Sequence, residues 1–210
     1  KYYKTRKDGL DAWADTMEGN IRPMSSITTI SELMGYEGSM REIYYRSFSE
    51  ILGQDVEFKK RVRRPPDNMV NALLSFANSM VYTTCLSEIY RTQLDPTISF
   101  LHEPGQRRFS LSLDLAEVFK PILADRAIFK LVNTHQLTEN HFDQKLNRCH
   151  LNESGRKIFV KEFDDRLKTT IRHRQLKRKV SYRQLIRLEC YKLIKHLIAE
   201  KQYKGFRAWW

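Results

Sequence analysis

Glycine and proline are scarce, eight and six in 210 residues, so the chain has few of the punctuation points that an all-β sandwich or barrel needs. Cysteine is scarcer still. Cys85, Cys149 and Cys190 are an odd number at wide spacings with no C-x-x-C pair, which excludes a disulfide framework and a zinc knuckle. A reducing, cytoplasmic setting is the simplest expectation from that usage. No apolar run approaches the roughly 20 residues needed to cross a bilayer, so no membrane association is expected. Nor does a signal peptide open the chain, because Lys1-Tyr2-Tyr3-Lys4 leads into charge and not into an apolar segment. Starting at Lys and not Met, the sequence reads as part of something longer.

What is present is helical patterning and positive charge. Apolar residues recur at three and four, and helices are expected near 6–19, 27–52, 67–93, 110–120, 122–136, 154–174 and 181–201, giving an all-α fold. Breakers separate them at Arg22-Pro23, Pro65-Pro66, Asp95-Pro96 and Glu103-Pro104-Gly105. In the segment 67–93, Asp67 is the expected N-cap, with Val70, Leu73, Leu74, Ala77, Val81, Thr84 and Cys85 as the core stripe. Asn71, Ser75, Asn78 and Tyr82 form a polar stripe beside it. In the last helix Ile186, Cys190, Leu193, Ile194, Leu197 and Ile198 are expected to face inward.

The 37 Lys+Arg exceed the 25 Asp+Glu, for a net charge of +12. Residues 156–210 hold seventeen basic and five acidic residues, while residues 1–155 hold twenty of each. The whole excess is therefore C-terminal, as expected of a delocalised phosphate-binding surface on a neutral body.

Three acidic residues and one histidine stand out as chemistry. Glu37 interrupts the helical stripe Ile30, Met34, Arg41, Tyr44 and Phe48 and is flanked by Gly35 and Gly38. An unpaired buried carboxylate costs several kcal/mol, so Glu37 needs a cation, either Arg41 one turn later or a metal. The glycines are unfavourable inside a helix unless something must come close. His102 sits where Ile98-Ser99-Phe100-Leu101 ends and a loop begins. Asp114 and Glu117 share one helical face; their repulsion can be relieved by a divalent cation or by Arg107, Arg108, Lys120 or Arg126. One imidazole with several carboxylates suits Mg or Mn better than zinc. The cluster His141, Cys149 and His150 lacks a second pair and does not read as a zinc site.

Several stretches taken in order resemble one known family, the universal CRISPR adaptation integrase, the first-numbered Cas protein or Cas-one. They are Met34-Gly35-Tyr36-Glu37-Gly38-Ser39-Met40-Arg41 with Tyr44 and Tyr45; Arg63-Arg64-Pro65-Pro66-Asp67 leading to Asn71-Ala72-Leu73-Leu74-Ser75-Phe76; Phe100-Leu101-His102; and Ser110 to Glu117 followed by Pro121 and Asp125-Arg126. Leu151 to Phe159 and Ser181-Tyr182-Arg183 are similar as well.

The resemblance implies the family's C-terminal all-α catalytic domain over residues 24–210, carrying the basic C-terminal helices. On the same resemblance residues 1–23 are expected to form the connecting segment and first helix, with the family's N-terminal β-rich domain expected to be missing from this chain. It also implies a Mg or Mn ion held by Glu37, His102 and Glu117, with Asp114 supporting the site, and Arg41, Asn71, Ser75 and Lys120 around it. Arg107, Arg108 and Arg126 are added as phosphate contacts near the metal. Lys120 stands where many relatives carry Arg, keeping the charge without the bidentate fork. The expected activity is metal-dependent DNA cleavage and joining of spacer DNA 3′ hydroxyls to CRISPR repeat borders by transesterification. Expected partners are prespacer and repeat DNA, a second copy in the complete protein, and the adaptation protein Cas-two. The rival expectation is a non-catalytic helical nucleic-acid-binding or scaffold domain whose polar clusters are structural ion pairs.

Overall fold

The computed structural model describes residues 10–21, 26–53, 56, 58–102, 109–145 and 148–208. Arg107 and Arg108, the Arg22-Pro23 and Glu103-Pro104-Gly105 breakers and the terminal Trp209 and Trp210 lie outside the described residues.

Helices dominate: α1 (Leu10–Gly19), α2 (Ile30–Arg46), α3 (Phe48–Leu52), α4 (Met69–Ile89), α5 (Ser110–Lys120), α6 (Arg126–Asn133), α7 (Glu153–Lys168) and α8 (Tyr182–Leu197). Two small antiparallel hairpins are inserted among them, β1 (Phe142–Lys145) with β2 (Arg148–Leu151) and β3 (Thr170–Arg172) with β4 (Lys179–Ser181). These correct the all-α expectation to mostly α. With three or four residues per strand, none was long enough to show its period of two.

The long central helix α4 is the axis of the core. Its whole expected stripe is buried, Val70, Leu73, Leu74, Ala77, Val81, Thr84 and Cys85, and α5 and α8 pack against it. Burial of this kind, roughly 25 cal/mol per Å² of apolar surface, dominates the stability of such a layer. The N-cap is Asn68, whose side chain accepts from Asn71 N, and not Asp67. Asp67 instead accepts from the Asn71 amide at 2.7 Å. All three cysteines are buried free thiols.

The expected helix over 27–52 is two. Thr29 caps α2 by accepting from Glu32 N at 3.1 Å, and the run is interrupted at Ser47 before α3. Contrary to the expected inward stripe, α2 has no buried residue. Ile30 and Met34 are 53% and 42% exposed, while Tyr36 Oη donates to Asn20 O at 3.0 Å and the C-terminal end is seated on the core. There Tyr44 and Tyr45 pack edge-on against buried Phe48, which meets Phe129 of α6 at 4.7 Å between ring centres. The last helix also falls short of expectation. It ends at Leu197, so Leu197 and Ile198 are exposed while Ile186, Cys190 and Leu193 are buried.

Between α5 and α6 the chain keeps a helical course through a π-helical turn, Pro121–Asp125. Pro121 has no N–H to continue the α ladder, and a wider turn at such a point changes the phase of the downstream helix. The result is that Asp125 faces inward and is buried. Further along, Gly155 near the start of α7 is required by packing, because a Cβ there would lie 2.6 Å from His141 O. After α8 the tail folds back. Buried Glu189 accepts from Tyr203 Oη at 2.7 Å and Phe206 N at 2.8 Å, and the Phe206 ring stacks on Phe119 of α5.

Candidate functional site

The exposed helix α2 and the half-buried face of α5 meet through one guanidinium. Arg41 Nη2 donates to Glu37 Oε1 one turn back and to Glu117 Oε2 of α5 at 2.5 Å, while Lys120 Nζ donates to Glu117 Oε1. Two carboxylates from helices far apart in sequence are thus gathered on one cationic nitrogen. With two acids and two bases the cluster is charge-compensated, and each of the four side chains keeps 18–30% of its surface exposed.

One turn earlier on α5, Asp114 makes a second unit. Its Oδ2 accepts from Phe100 N at 2.8 Å and Leu101 N at 3.1 Å, and its Oδ1 accepts from His102 N at 3.2 Å. The same Oδ1 lies 2.6 Å from His102 Nδ1. A carboxylate accepting three successive backbone N–H groups fixes the segment that carries the imidazole. In the neutral imidazole, an Nδ1–H facing that carboxylate leaves Nε2 as the lone-pair nitrogen.

The structure therefore joins Glu37 with Glu117, and His102 with Asp114, on adjacent turns of α5. Among the described residues, no three His, Cys, Asp or Glu side chains converge closely enough to hold a metal. The donor chemistry nevertheless fits a hard divalent ion, because two carboxylates already share one cation and an oriented imidazole stands beside the same helix. An ion drawing on Glu37 and Glu117 would compete with Arg41 and Lys120 for their oxygens.

Asn71 and Ser75 have another place. Asn71 is buried, its Nδ2 donating to Lys60 O at 3.0 Å and Asp67 Oδ1 at 2.7 Å, its Oδ1 accepting from Val62 N at 3.1 Å and Arg61 Nη1 at 3.0 Å. Ser75 Oγ accepts from Arg61 Nη2 at 2.9 Å. In this structure both residues hold the 60–62 segment and the Arg61 guanidinium, and the Asn71 side chain has no exposed surface to offer a nucleic acid. Arg126, at the start of α6, is half-buried near Tyr44.

Two features of this region carry no isolated sequence signal. Tyr44 Oη donates to Asp125 Oδ2 at 2.9 Å, close enough to the cluster for Lys120, Glu117 and Arg41 to act on that carboxyl. Burial pushes the Asp125 carboxyl up to about 7, partly opposed by the Tyr44 hydrogen bond and by Lys120 and Arg41. Burial, reinforced by Asp125, raises Tyr44 in turn. The other is Arg61, one cation among several in Lys59-Lys60-Arg61-Val62-Arg63-Arg64, a local excess hidden within the neutral total of residues 1–155.

With this geometry in hand, the comparisons with known proteins are specific. Residues 1–165 match the family model described as CRISPR associated protein Cas1. The chain is 56% identical over 200 residues to CRISPR-associated endonuclease Cas1 3 of Thermodesulfovibrio yellowstonii, covering 95% of this chain and 62% of that one. It is 51% identical over 210 residues to CRISPR-associated endonuclease Cas1 of Fusobacterium nucleatum, covering all of this chain and 62% of that one. Thus the chain spans about three fifths of the length of these curated relatives. A solved CAS1 protein from Thermotoga maritima has a TM-score of 0.82 at 44% identity, over 92% of this chain and 60% of that one. A casposase bound to integration product (24% identity, TM-score 0.78, 85% of this chain and 53% of that one) shares the fold. So does a Cas6-RT-Cas1–Cas2 complex (20%, TM-score 0.81, 98% of this chain and 22% of that one).

Proposed function

The chain belongs to the family of CRISPR associated protein Cas1, and from that premise we propose that it is the catalytic part of a metal-dependent DNA endonuclease and integrase. Residues 24–210 are the catalytic domain and residues 1–23 lead into it. The observation that carries the reading is the gathering of Glu37 and Glu117 onto one cationic centre beside an imidazole oriented by Asp114.

In this reading Glu37, His102 and Glu117 would hold Mg or Mn, and Asp114 would act through His102. A bound divalent ion supplies Lewis-acid stabilisation of the negative charge that builds on the phosphoryl oxygens. The residues do the rest. The Asp114 carboxylate holds the Nδ1 proton, so that Nε2 presents a neutral lone pair. Arg41 and Lys120, which neutralise the two carboxylates here, are the cations that would meet phosphate oxygens at this site. Integration is then transesterification: the 3′ oxygen of spacer DNA forms a bond to a repeat-border phosphorus as the existing P–O bond to the neighbouring 3′ oxygen breaks. The number of phosphodiesters is conserved and the step is close to energy-neutral. With water as nucleophile the same arrangement cleaves DNA.

The basic surface of residues 156–210 holds flanking duplex by sequence-independent phosphate contacts. The casposase bound to integration product and the Cas1–Cas2 assembly that share the fold support DNA and Cas2 as partners, and the family resemblance adds a second copy of the complete protein. The test is labelled-strand cleavage and joining with Mn or Mg, paired with thermal melting, since an ion that binds only the folded chain raises the midpoint. Activity should vanish in His102→Ala with folding and DNA affinity retained. Undiminished turnover in that variant, or no melting shift at millimolar Mn, would sink the metal-dependent reading in favour of a binding or scaffold domain.

A further inference from the structure

We propose that Tyr44 and Asp125 are positioning residues, whose hydrogen bond latches α2 onto the π-helical turn after α5 and so sets Glu37 and Arg41 against Glu117. The inference rests on the nuclease and integrase reading for what the positioned carboxylates do, but not for the latch itself.

Helix α2 carries Glu37 and Arg41, yet it has no buried residue, so apolar burial alone does not hold it in one place. Its Tyr36 Oη donates to Asn20 O at 3.0 Å, a tie to the end of α1 and not to the helix that carries Glu117. Towards α5 and the turn that follows it, the contacts run in order along the chain. Arg41 reaches Glu117 at 2.5 Å, and one turn later Tyr44 Oη donates to Asp125 Oδ2 at 2.9 Å. Spacings of four and three put Glu37, Arg41 and Tyr44 on one face of α2.

The two anchors differ in kind. Arg41 bonds to the very carboxylate oxygens that a divalent ion would draw on, so its grip on α5 is open to competition. The Tyr44 bond lies outside that exchange. Asp125 is 3% exposed, and the turn that bears it is packed on α4 and α7. On the other side the Tyr44 ring stands edge-on against buried Phe48 at 5.2 Å between centres. Both partners are thus seated on the core, and withdrawing the hydroxyl would leave a buried carboxyl short of a donor. The pair gives α2 a fixed point one turn from Arg41 and two turns from Glu37.

The course of the chain from α5 to α6 supplies an independent observation. Asp125 follows Glu117 by eight residues. In an unbroken α-helix that is two turns and about 80° more, which would swing Asp125 off the face that carries Glu117. The π-helical turn Pro121–Asp125, with i→i+5 bonding, takes up an extra residue and brings Asp125 back towards that face. Regular helical bonding is given up over one turn, and what it delivers is the acceptor for Tyr44.

The experiment has two readouts on this chain. The first is amide hydrogen exchange in EDTA, resolved by segment. Tyr44→Phe keeps the ring and removes the hydroxyl; it should speed exchange over α2 about 10-fold and leave α4 unchanged. The second is Mn affinity of the folded chain, measured well below its melting midpoint by competition with a fluorescent chelator, which should fall about 10-fold or more in the same variant. Asp125→Asn and Asp125→Leu both remove the charge, but only Asn retains an acceptor. Asn should therefore keep the protection of α2, Leu should lose it, and Tyr44→Phe combined with Asp125→Leu should be no worse than either alone. Unchanged α2 exchange in Tyr44→Phe would overturn the latch. So would equal acceleration in α2 and α4, which marks a loss of global stability, or a loosened α2 with Mn affinity intact. If wild type takes up no Mn, the catalytic reading falls and the exchange data alone decide the latch; Mn uptake that is lost in His102→Ala but insensitive to Tyr44→Phe removes the latch and leaves the catalytic reading standing.

Discussion

Asp125 gives a sharp test of the electrostatics beneath the cluster. Its carboxyl is raised from 3.8 to about 7, with burial as the largest cause. A carboxyl raised on folding is bound to its proton more tightly in the native state. Its protonated form is therefore the stable one: the contribution is fully present below the unfolded value near 4 and is lost as pH rises towards 7. About three pKa units at 1.36 kcal/mol each give roughly 4 kcal/mol of stability lost over that window. Asp125→Asn keeps an oxygen to accept from Tyr44 Oη and carries no charge to bury. Urea unfolding followed by circular dichroism, in EDTA, should find wild type and variant similar near pH 4.5. They should diverge through pH 7, with the variant the more stable above it. A difference curve that stays flat from pH 4 to 8, or a variant less stable at pH 8, would falsify the assignment of a buried, proton-binding carboxyl at this position.

Three further outcomes rest on named contacts. Asn71→Ala leaves Lys60 O, Val62 N and the Arg61 guanidinium short of a partner in a buried place, and should cost about 2–4 kcal/mol in urea unfolding. Asp114→Ala removes the acceptor of three backbone N–H groups and the partner of His102, and should weaken Mn binding or turnover about 10–100-fold, as loss of such outer partners does elsewhere. Phe206→Ala should lower stability by about 1 kcal/mol or more, and limited proteolysis should then cut the tail after Tyr203 faster, because the ring that stacks on Phe119 is what seats it.

Legibility of the fold tracked the length and contrast of each pattern. The α4 stripe was readable to the residue because seven apolar positions at helical spacing leave no rival period. The α2 stripe had the same spacing and misled, since Ile30 and Met34 are exposed; spacing assigns residues to a face but does not say what covers it. The hairpins were too short to show alternation, and the π turn at Pro121–Asp125 reads in sequence as an ordinary helix start after proline. In the site, the conflict between a carboxylate and its helical row marked Glu37, and the pairing with Arg41 expected on spacing is present. That Arg41 also reaches Glu117 is a tertiary fact with no sequence period. Asn71 was legible as a polar interruption of α4 but not in its direction, because its partners are backbone groups of the 60–62 segment.

The distribution of charge acquires a different meaning once the chain is folded. Summed along the sequence, residues 1–155 are neutral, which suggested a specific centre with the phosphate-binding surface elsewhere. In three dimensions the acids and bases of that neutral part separate. Glu37, Glu117 and Asp114 take up positions along the α2–α5 contact, each already joined to a cation or an imidazole. The run from Lys59 to Arg63 collects across α2, where Arg61 is hydrogen-bonded to Asn71 and Ser75 and feels the charge of Asp67. Local sorting of equal numbers of charges thus produces a cluster of acids and a basic face beside it, with Arg41 common to both. Net charge measures only the far field, so a neutral half-chain can carry both a cluster of carboxylates and a separate patch of cations.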